Sequence, residues 1–140
     1  MTDLARLPLA EFAFPGPLRD ELVAAILTAD KTATTALLEE YEREGEPLPR
    51  VGDHGVVVDS QLKPVAVIET TDVRVVRAAD VDLQFAIDEG EGFTSVADWR
   101  AAHERYWHSE EMRAALGEPP INVTDDTLVV AERFRIVERV

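Results

Sequence analysis

The sequence predicts an α+β fold, with a small sheet or barrel flanked by helices. Helical patterns come first and return in the second half, β-rich runs lie in the middle, and a long β-rich run closes the chain. The length of 140 residues, 46% of them hydrophobic, suits one core, so we predict a single domain over residues 1–140. The absence of cysteine excludes disulfide frameworks, cysteine zinc sites and thiolate nucleophiles.

The charge balance limits the classes of partner. The chain has 28 acidic and 14 basic side chains, a formal net charge of −14. A protein that coats duplex DNA normally carries a basic footprint, so we expect no duplex DNA partner. A single strand, a nucleotide or a nucleoside in a locally basic cleft remains compatible with the composition. The oligomeric state stays open.

Membrane insertion and secretion are not indicated. The longest aliphatic run, residues 23–27, is far shorter than the roughly 18 residues of a membrane span. The first residues show no basic region leading into an apolar stretch. We therefore expect a soluble, cytoplasmic protein with no membrane partner.

Two helices are predicted in the first third of the chain. Gly16 and Pro17 open the first, which has an amphipathic pattern and runs to about Ala29. The second is predicted from Ala36 to about Arg43, with Gly45 as its stop.

Short strands follow a turn-rich, proline-containing loop over residues 46–53. The β-rich runs are Val56 to Asp59, Val65 to Thr71 and Val73 to Val76. They are predicted to form antiparallel hairpins.

The second half returns to helix and ends in a strand. A short helix is predicted from Val81 to about Asp88, followed by a glycine-spaced loop over residues 89–92. Ser95 opens a capping box, and the helix that follows is predicted to run to Leu116. Residues 127–140 form the last strand, with apolar side chains at even positions and arginines on the other face.

Seven segments in this order and spacing resemble the ASCH domain family of the PUA-like β-barrel superfamily. They are residues 12–16, 31–34, 44–53, 85–86, 89–92, 99–103 and 132–134. The resemblance includes a family motif at the end of the first helix. This motif consists of glycine, any residue, lysine, any two residues, and then threonine or serine. Lys31 and Thr34 are in place, whereas Ala29 stands where glycine is usual. Phe93 stands where an acidic residue is common, which makes a metal-binding version of that loop less convincing.

This resemblance implies a small PUA-like barrel whose cleft, near the lysine motif, handles RNA or nucleosides. Some family members resemble RNA binders or ribonucleases, and a smaller group hydrolyses cytidine acylated on its exocyclic amine. The working residues of that group, a lysine, a threonine three positions on and a distant glutamate, correspond to Lys31, Thr34 and Glu89, with Glu91 as second choice for the glutamate. The resemblance thus implies an RNA- or nucleotide-binding protein. Its alternative is an amidohydrolase of N4-acetylcytidine-type nucleosides, with Thr34 as nucleophile, Lys31 as base and Glu89 as acid/base or orienting group.

The chemistry of acyl transfer constrains these roles, because it needs a nucleophile, a proton acceptor and donors for the oxyanion. At the ordinary lysine pKa of about 10.4, roughly one amine in 2,500 is neutral at pH 7. A base role for Lys31 therefore requires burial or a cationic neighbour, and as a cation it would instead hold a phosphate, carbonyl or carboxylate. Lys31 has an alternative as a cation at a helix C-terminus. Thr34 and Thr35 have an alternative as N-caps of the second helix, and this is the reading we prefer for Thr35.

Further candidates for ligand binding come from single positions. Trp99, His103 and Trp107 form one helical stripe, which we assign mainly to the core, with His103 at the cleft edge. Glu132 is an acid on the apolar face of the last strand, where such a residue is usually paired or part of a site. Arg50 and Arg133 are candidates for a local basic path, although cross-strand pairing is the commoner role of strand arginines. The three histidines are scattered, so we expect no metal, and no cofactor is predicted.

Overall fold

The computed structural model describes residues 3–140 and confirms the α+β class: a five-stranded sheet curls into a half-barrel with several helices around it. The sheet order is β1-β3-β4-β5-β2. Only the β1–β3 pair is parallel among the described strands, and the other pairs are antiparallel. The strands are β1 (Leu9–Ala10), β2 (Ala33–Leu37), β3 (His54–Val58), β4 (Pro64–Arg77) and β5 (Leu128–Arg139).

The helices lie on both sides of this sheet. They are α1 (Pro17–Leu27), α2 (Leu38–Glu44), α3 (Leu83–Asp88), α4 (Val96–Trp107) and α5 (Glu110–Leu116), with 3₁₀ turns at Leu4–Arg6 and Ala78–Asp80. Within residues 3–140, no helix is both long and apolar enough to cross a membrane.

Each face of the sheet has its own hydrophobic core. The first core packs α3, α4 and α5 on the sheet and contains both tryptophans, together with Val129 and Ala131 of β5. The second core packs α1 on the opposite face, where it includes Phe134 of β5. Because successive side chains of a strand alternate between faces, β5 supplies side chains to both cores.

The second predicted helix begins later than expected, because part of its predicted range is a strand. Residues 33–37 form β2, which pairs with β5 from Ala33 opposite Arg133 to Leu37 opposite Val129. The Glu40 carboxylate accepts the Leu37 N–H at 2.7 Å and so marks the start of α2 at Leu38. The N-cap role considered for Thr34 and preferred for Thr35 is therefore wrong. Both are strand residues, and their side chains point to opposite faces.

Two other predicted boundaries are also corrected. The runs at 65–71 and 73–76 belong to one strand, β4. Its pairing with β5 shifts register between Thr70 and Asp72, at a β-bulge that contains polar residues. The long helix predicted from 96 to 116 is two helices. The first ends before His108, and the second begins after Ser109, whose hydroxyl caps α5 by accepting the Met112 N–H at 3.2 Å.

Candidate functional site

A cleft of about 760 Å³ opens between the loop after β1, the start of α1, the edge strand β2, α2 and α4. This volume lies in the range of roughly 300–1,000 Å³ that is typical of small-molecule sites. Six of the eight predicted site residues line it: Lys31, Thr34, Glu89, Glu91, His103 and Glu132. Arg50 and Arg133 do not line this cleft.

Lys31 is buried, with 2% of its surface exposed, although it carries a charged group. The backbone N–H of Lys31 donates to Ala25 O at the end of α1. Its Nζ lies 2.9 Å from Ala33 O, 3.2 Å from Glu89 O and 3.4 Å from Glu89 Oε1. Three acceptors match the three N–H groups of an ammonium. The amine is therefore fully hydrogen-bonded within the protein.

Glu89 is the counter-charge and is 1% exposed. Its Oε2 accepts hydrogen bonds from Thr35 Oγ1 at 2.9 Å and from the Trp99 indole N–H, and it lies 3.2 Å from His103 Nε2. Burial alone would raise the pKa of Glu89. The hydrogen bond and charge of His103, the charge of Lys31 and the Trp99 bond together lower this pKa below its ordinary value. The carboxylate is thus held ionised.

His103 joins the pair from α4. Its Nδ1 lies 2.9 Å from Trp99 O, and since a carbonyl oxygen only accepts, Nδ1 carries a proton. The ring stacks on Trp99 with centroids 4.4 Å apart. Burial lowers the pKa of His103, but the hydrogen bond and charge of Glu89 outweigh it and leave the pKa raised. A carboxylate flanked by Lys31 and His103 is the centre of the site.

Gly90 allows the loop that carries Glu89 to pack against Lys31, although the two residues are 58 positions apart in the sequence. Its φ is +73°, and a Cβ at this position would lie 2.6 Å from Asp30 O and from Lys31 N and Cα. The neighbouring Thr32 N–H donates to Asp88 O at 2.8 Å. The glycine-spaced loop therefore packs directly on the backbone of the lysine motif.

The two threonines of β2 have separate partners. Thr35 donates to Glu89, a role that the predicted helix cap does not provide. Thr34 lies directly opposite Glu132 of β5, and its hydroxyl forms no hydrogen bond with residues 3–140. Alternation along a recognised strand is the signal that would have separated the two hydroxyls.

Glu132 lines the same cleft. It accepts a hydrogen bond from Thr70 Oγ1 at 2.7 Å. Burial raises the pKa of Glu132, the Thr70 bond opposes this, and the charge of Asp53 adds to it. Glu132 is thus a partly buried acid with one fixed oxygen.

The cleft is acidic, whereas the composition is compatible with a single strand, a nucleotide or a nucleoside held in a locally basic cleft. The cations that line it within residues 3–140, Arg19, Lys31 and His103, are all engaged by the protein. Arg19 pairs with Glu11 at 3.2 Å and donates to Ala13 O at 2.7 Å. Eight carboxylates line the cleft: Glu11, Glu40, Glu44, Glu46, Asp53, Glu89, Glu91 and Glu132. Such a lining favours ligand groups that donate hydrogen bonds and repels phosphates.

The arginines of β5 are paired outside the cleft. Arg133 bonds Asp88 at 2.7 Å and lies over the Phe85 ring, and Arg135 bonds its cross-strand partner Glu69 at 2.7 Å. Arg139 donates to Leu27 O at 2.8 Å. Because carboxylates match the charges of Arg133 and Arg135 and the Leu27 carbonyl holds Arg139, these arginines form no free basic path along this strand.

We predict that Gly90→Ala destabilises the protein far more than Gly92→Ala. Both glycines have positive φ, so both alanines incur a strain of about 1–2 kcal/mol. Only the Gly90 variant also meets the Lys31 backbone, which adds roughly 1–3 kcal/mol of overpacking. Urea unfolding measures both free energies, and equal losses would contradict the close packing.

We predict that His103→Gln changes how stability depends on pH. Because the folded pKa of His103 is raised above its ordinary 6.5, its stabilisation is fully present below about pH 6.5 and is lost as pH rises through the folded value. The free energy of unfolding of the wild type should therefore fall relative to the variant between pH 6.5 and 9. Parallel curves over this range would show that His103 gains no proton affinity on folding.

Comparisons with known proteins agree with this architecture. The family model described as ASCH domain matches residues 11–138. The solved ASCH domain from Lactobacillus crispatus JV V101 is 30% identical, with a TM-score of 0.81 over 95% of this chain and 80% of that one. A solved protein from Enterococcus faecalis V583 is 27% identical, with a TM-score of 0.81 over 94% and 77% of the two chains. No curated protein matches the sequence. The chain belongs to the ASCH domain family.

Proposed function

We propose that the cleft binds a single nucleoside, either free or as a base splayed out from single-stranded RNA. The observation that carries this proposal is the acidic lining of a cleft large enough for one base and its ribose. Exocyclic amines and ribose hydroxyls are hydrogen-bond donors that carboxylates accept. The RNA-binding-like fold of the family supports the same class of ligand.

Aromatic side chains in the cleft support a flat ligand. Tyr41, Tyr106, Phe14 and the His103 ring line it. Stacking on such rings is worth roughly 1–3 kcal/mol per base and is common in the recognition of unpaired bases. A nucleobase offers the π face that these rings need.

The charge of the cleft also sets the expected order of affinity. Phosphates would approach six carboxylates that have no cation partner among residues 3–140, because the cations of the cleft are already paired with the other two, Glu11 and Glu89. Binding by release of counterions from a phosphate backbone is therefore expected to be weak, with a shallow dependence on salt.

We predict that cytidine binds more tightly than cytidine triphosphate. Calorimetric titration of cytidine, its monophosphate and its triphosphate should show affinity falling as phosphates are added, because each adds repulsion. A short single-stranded RNA should bind with an affinity that changes little between 50 and 200 mM salt. The triphosphate binding best, or a steep loss of RNA affinity with salt, would contradict the proposal.

A second candidate function, hydrolysis of an acylated nucleobase amine, is favoured by Thr34. Its hydroxyl lines the cleft and forms no hydrogen bond with the described residues, so it is free to act as a nucleophile. Lys31 and Glu89 are saturated by protein contacts. We propose that they fix the backbone at Ala33 and set the electrostatic potential of the cleft. An acid/base role for either residue would require one of these hydrogen bonds to break.

We predict that the protein hydrolyses N4-acetylcytidine and that Thr34→Ala abolishes the reaction. Thr34→Ser should retain part of the activity because it keeps a hydroxyl. Thr94→Ala, in an exposed position outside the cleft, is the matched control and should behave as wild type. The change in absorbance on deacetylation measures the rate. Full activity of Thr34→Ala would exclude this nucleophile.

A further inference from the structure

We propose that Glu132 is the general base for Thr34, with Thr70 as the residue that positions Glu132. This inference rests on the second proposed function, acyl transfer in the cleft, and assigns the proton acceptor to a residue outside the lysine motif. The juxtaposition of Thr34 and Glu132 across two strands is the basis of the assignment.

The strand register places the two side chains together. Thr34 of β2 and Glu132 of β5 are direct partners in an antiparallel pair. Residues directly opposite in such a pair point to the same face, with Cβ atoms roughly 4.5–5.5 Å apart. Both line the same cleft. A glutamate spans this separation easily, so its carboxylate can reach the threonine hydroxyl.

The hydrogen bonds within residues 3–140 leave the Thr34 hydroxyl and one Glu132 oxygen available to each other. Oε2 of Glu132 accepts from Thr70 Oγ1 at 2.7 Å, and Thr70 is itself 5% exposed. Oε1 of Glu132 and the Thr34 hydroxyl bond no other side chain among residues 3–140. A nucleophile, a base within reach and a third group that orients the base form the arrangement that activated hydroxyls require.

The other candidate bases are already occupied. Lys31 Nζ directs its three N–H groups to three acceptors, and the Glu89 carboxylate is bonded by Lys31, Thr35, Trp99 and His103. Glu132 has one free oxygen. The carboxylate of Asp53 and the neutral phenol of Tyr41 on α2 lie near Glu132, and burial together with the Asp53 charge raises the pKa of Glu132. A raised pKa improves a carboxylate as a base near neutral pH.

The proposed reaction balances without a co-reactant other than water. Glu132 takes the Thr34 hydroxyl proton as Thr34 Oγ forms a bond to the acyl carbon. The C–N bond then breaks, and Glu132 returns the proton to the leaving amine. Water, deprotonated by Glu132, attacks the Thr34 ester. The C–O bond breaks, the proton returns to Thr34, and the carboxylic acid is released.

The test uses p-nitrophenyl acetate, an activated acyl donor that needs no nucleoside site. We expect wild-type protein to release p-nitrophenolate as Thr34 is acetylated, and acid quenching during the reaction followed by peptide mass mapping locates the acetyl group before water removes it. Glu132→Gln should slow this acetylation by roughly 10²- to 10⁴-fold, the usual contribution of a general base. Glu138→Gln, on the same strand but outside the cleft, is the matched control and should react as wild type. Thr70→Val should slow the reaction less than Glu132→Gln and shift the acidic limb of its pH profile.

The outcomes separate this inference from the proposed function. Release of p-nitrophenolate by the wild type no faster than by Thr34→Ala, or acetylation of folded Glu132→Gln at the wild-type rate, would overturn the inference. Glu132-dependent acetylation without turnover of N4-acetylcytidine would support the inference and reject the proposed substrate class. Circular dichroism and cytidine titration of each variant establish that it is folded and has kept its cleft.

Discussion

The buried ion pair between Lys31 and Glu89 is the constraint on which the rest of the site depends. Two charges that are 2% and 1% exposed are tolerated only when their remaining hydrogen-bonding groups are satisfied. The partners come from separate parts of the chain. Ala33 and Thr35 belong to β2, Trp99 and His103 to α4, and Gly90 provides the space for the loop to reach the lysine backbone. The pair thus ties the end of α1, the edge strand and the glycine-spaced loop into one unit.

Because the hydrogen-bonding groups of Lys31 and Glu89 are fully engaged, these two residues have a structural role in the cleft. A lysine and a glutamate whose hydrogen-bonding groups are all engaged, by each other and by neighbouring protein groups, stabilise the shape and the electrostatic potential of the cleft. The groups left free are those that can act on a ligand. Within residues 3–140, the free groups of this cleft include the Thr34 hydroxyl, one oxygen of Glu132 and the carboxylates of Glu44 and Glu46. Their chemistry suits a small ligand with amino and hydroxyl groups.

Part of this arrangement could be predicted from the sequence, and the reasons for the rest are physical. The class of fold, α1, β3 and the last strand follow from local periodicity and from turn residues. Lys31, Thr34 and Glu89 were placed in one cleft through the resemblance to a family. The sequence pattern predicts a helix where the short edge strand β2 begins, because five residues are too few to show the alternation of a strand before the helical pattern that follows.

The pairing of Thr34 with Glu132 depends on strand register across nearly 100 positions, which no local pattern encodes. The acidity of the cleft was also hidden, because it arises from carboxylates scattered along the chain that meet only in three dimensions.

The most direct measurement of the central claim is a double-mutant cycle on the ion pair by urea unfolding. Glu89→Leu should lower the free energy of unfolding by about 3–5 kcal/mol, because it leaves the buried Lys31 ammonium without a counter-charge. Lys31→Met should lower it by less, because His103 still faces the Glu89 carboxylate. The double variant should lose clearly less than the sum of the two, since it buries no unpaired charge. Additive losses would contradict the account and show that the two residues stabilise the fold independently.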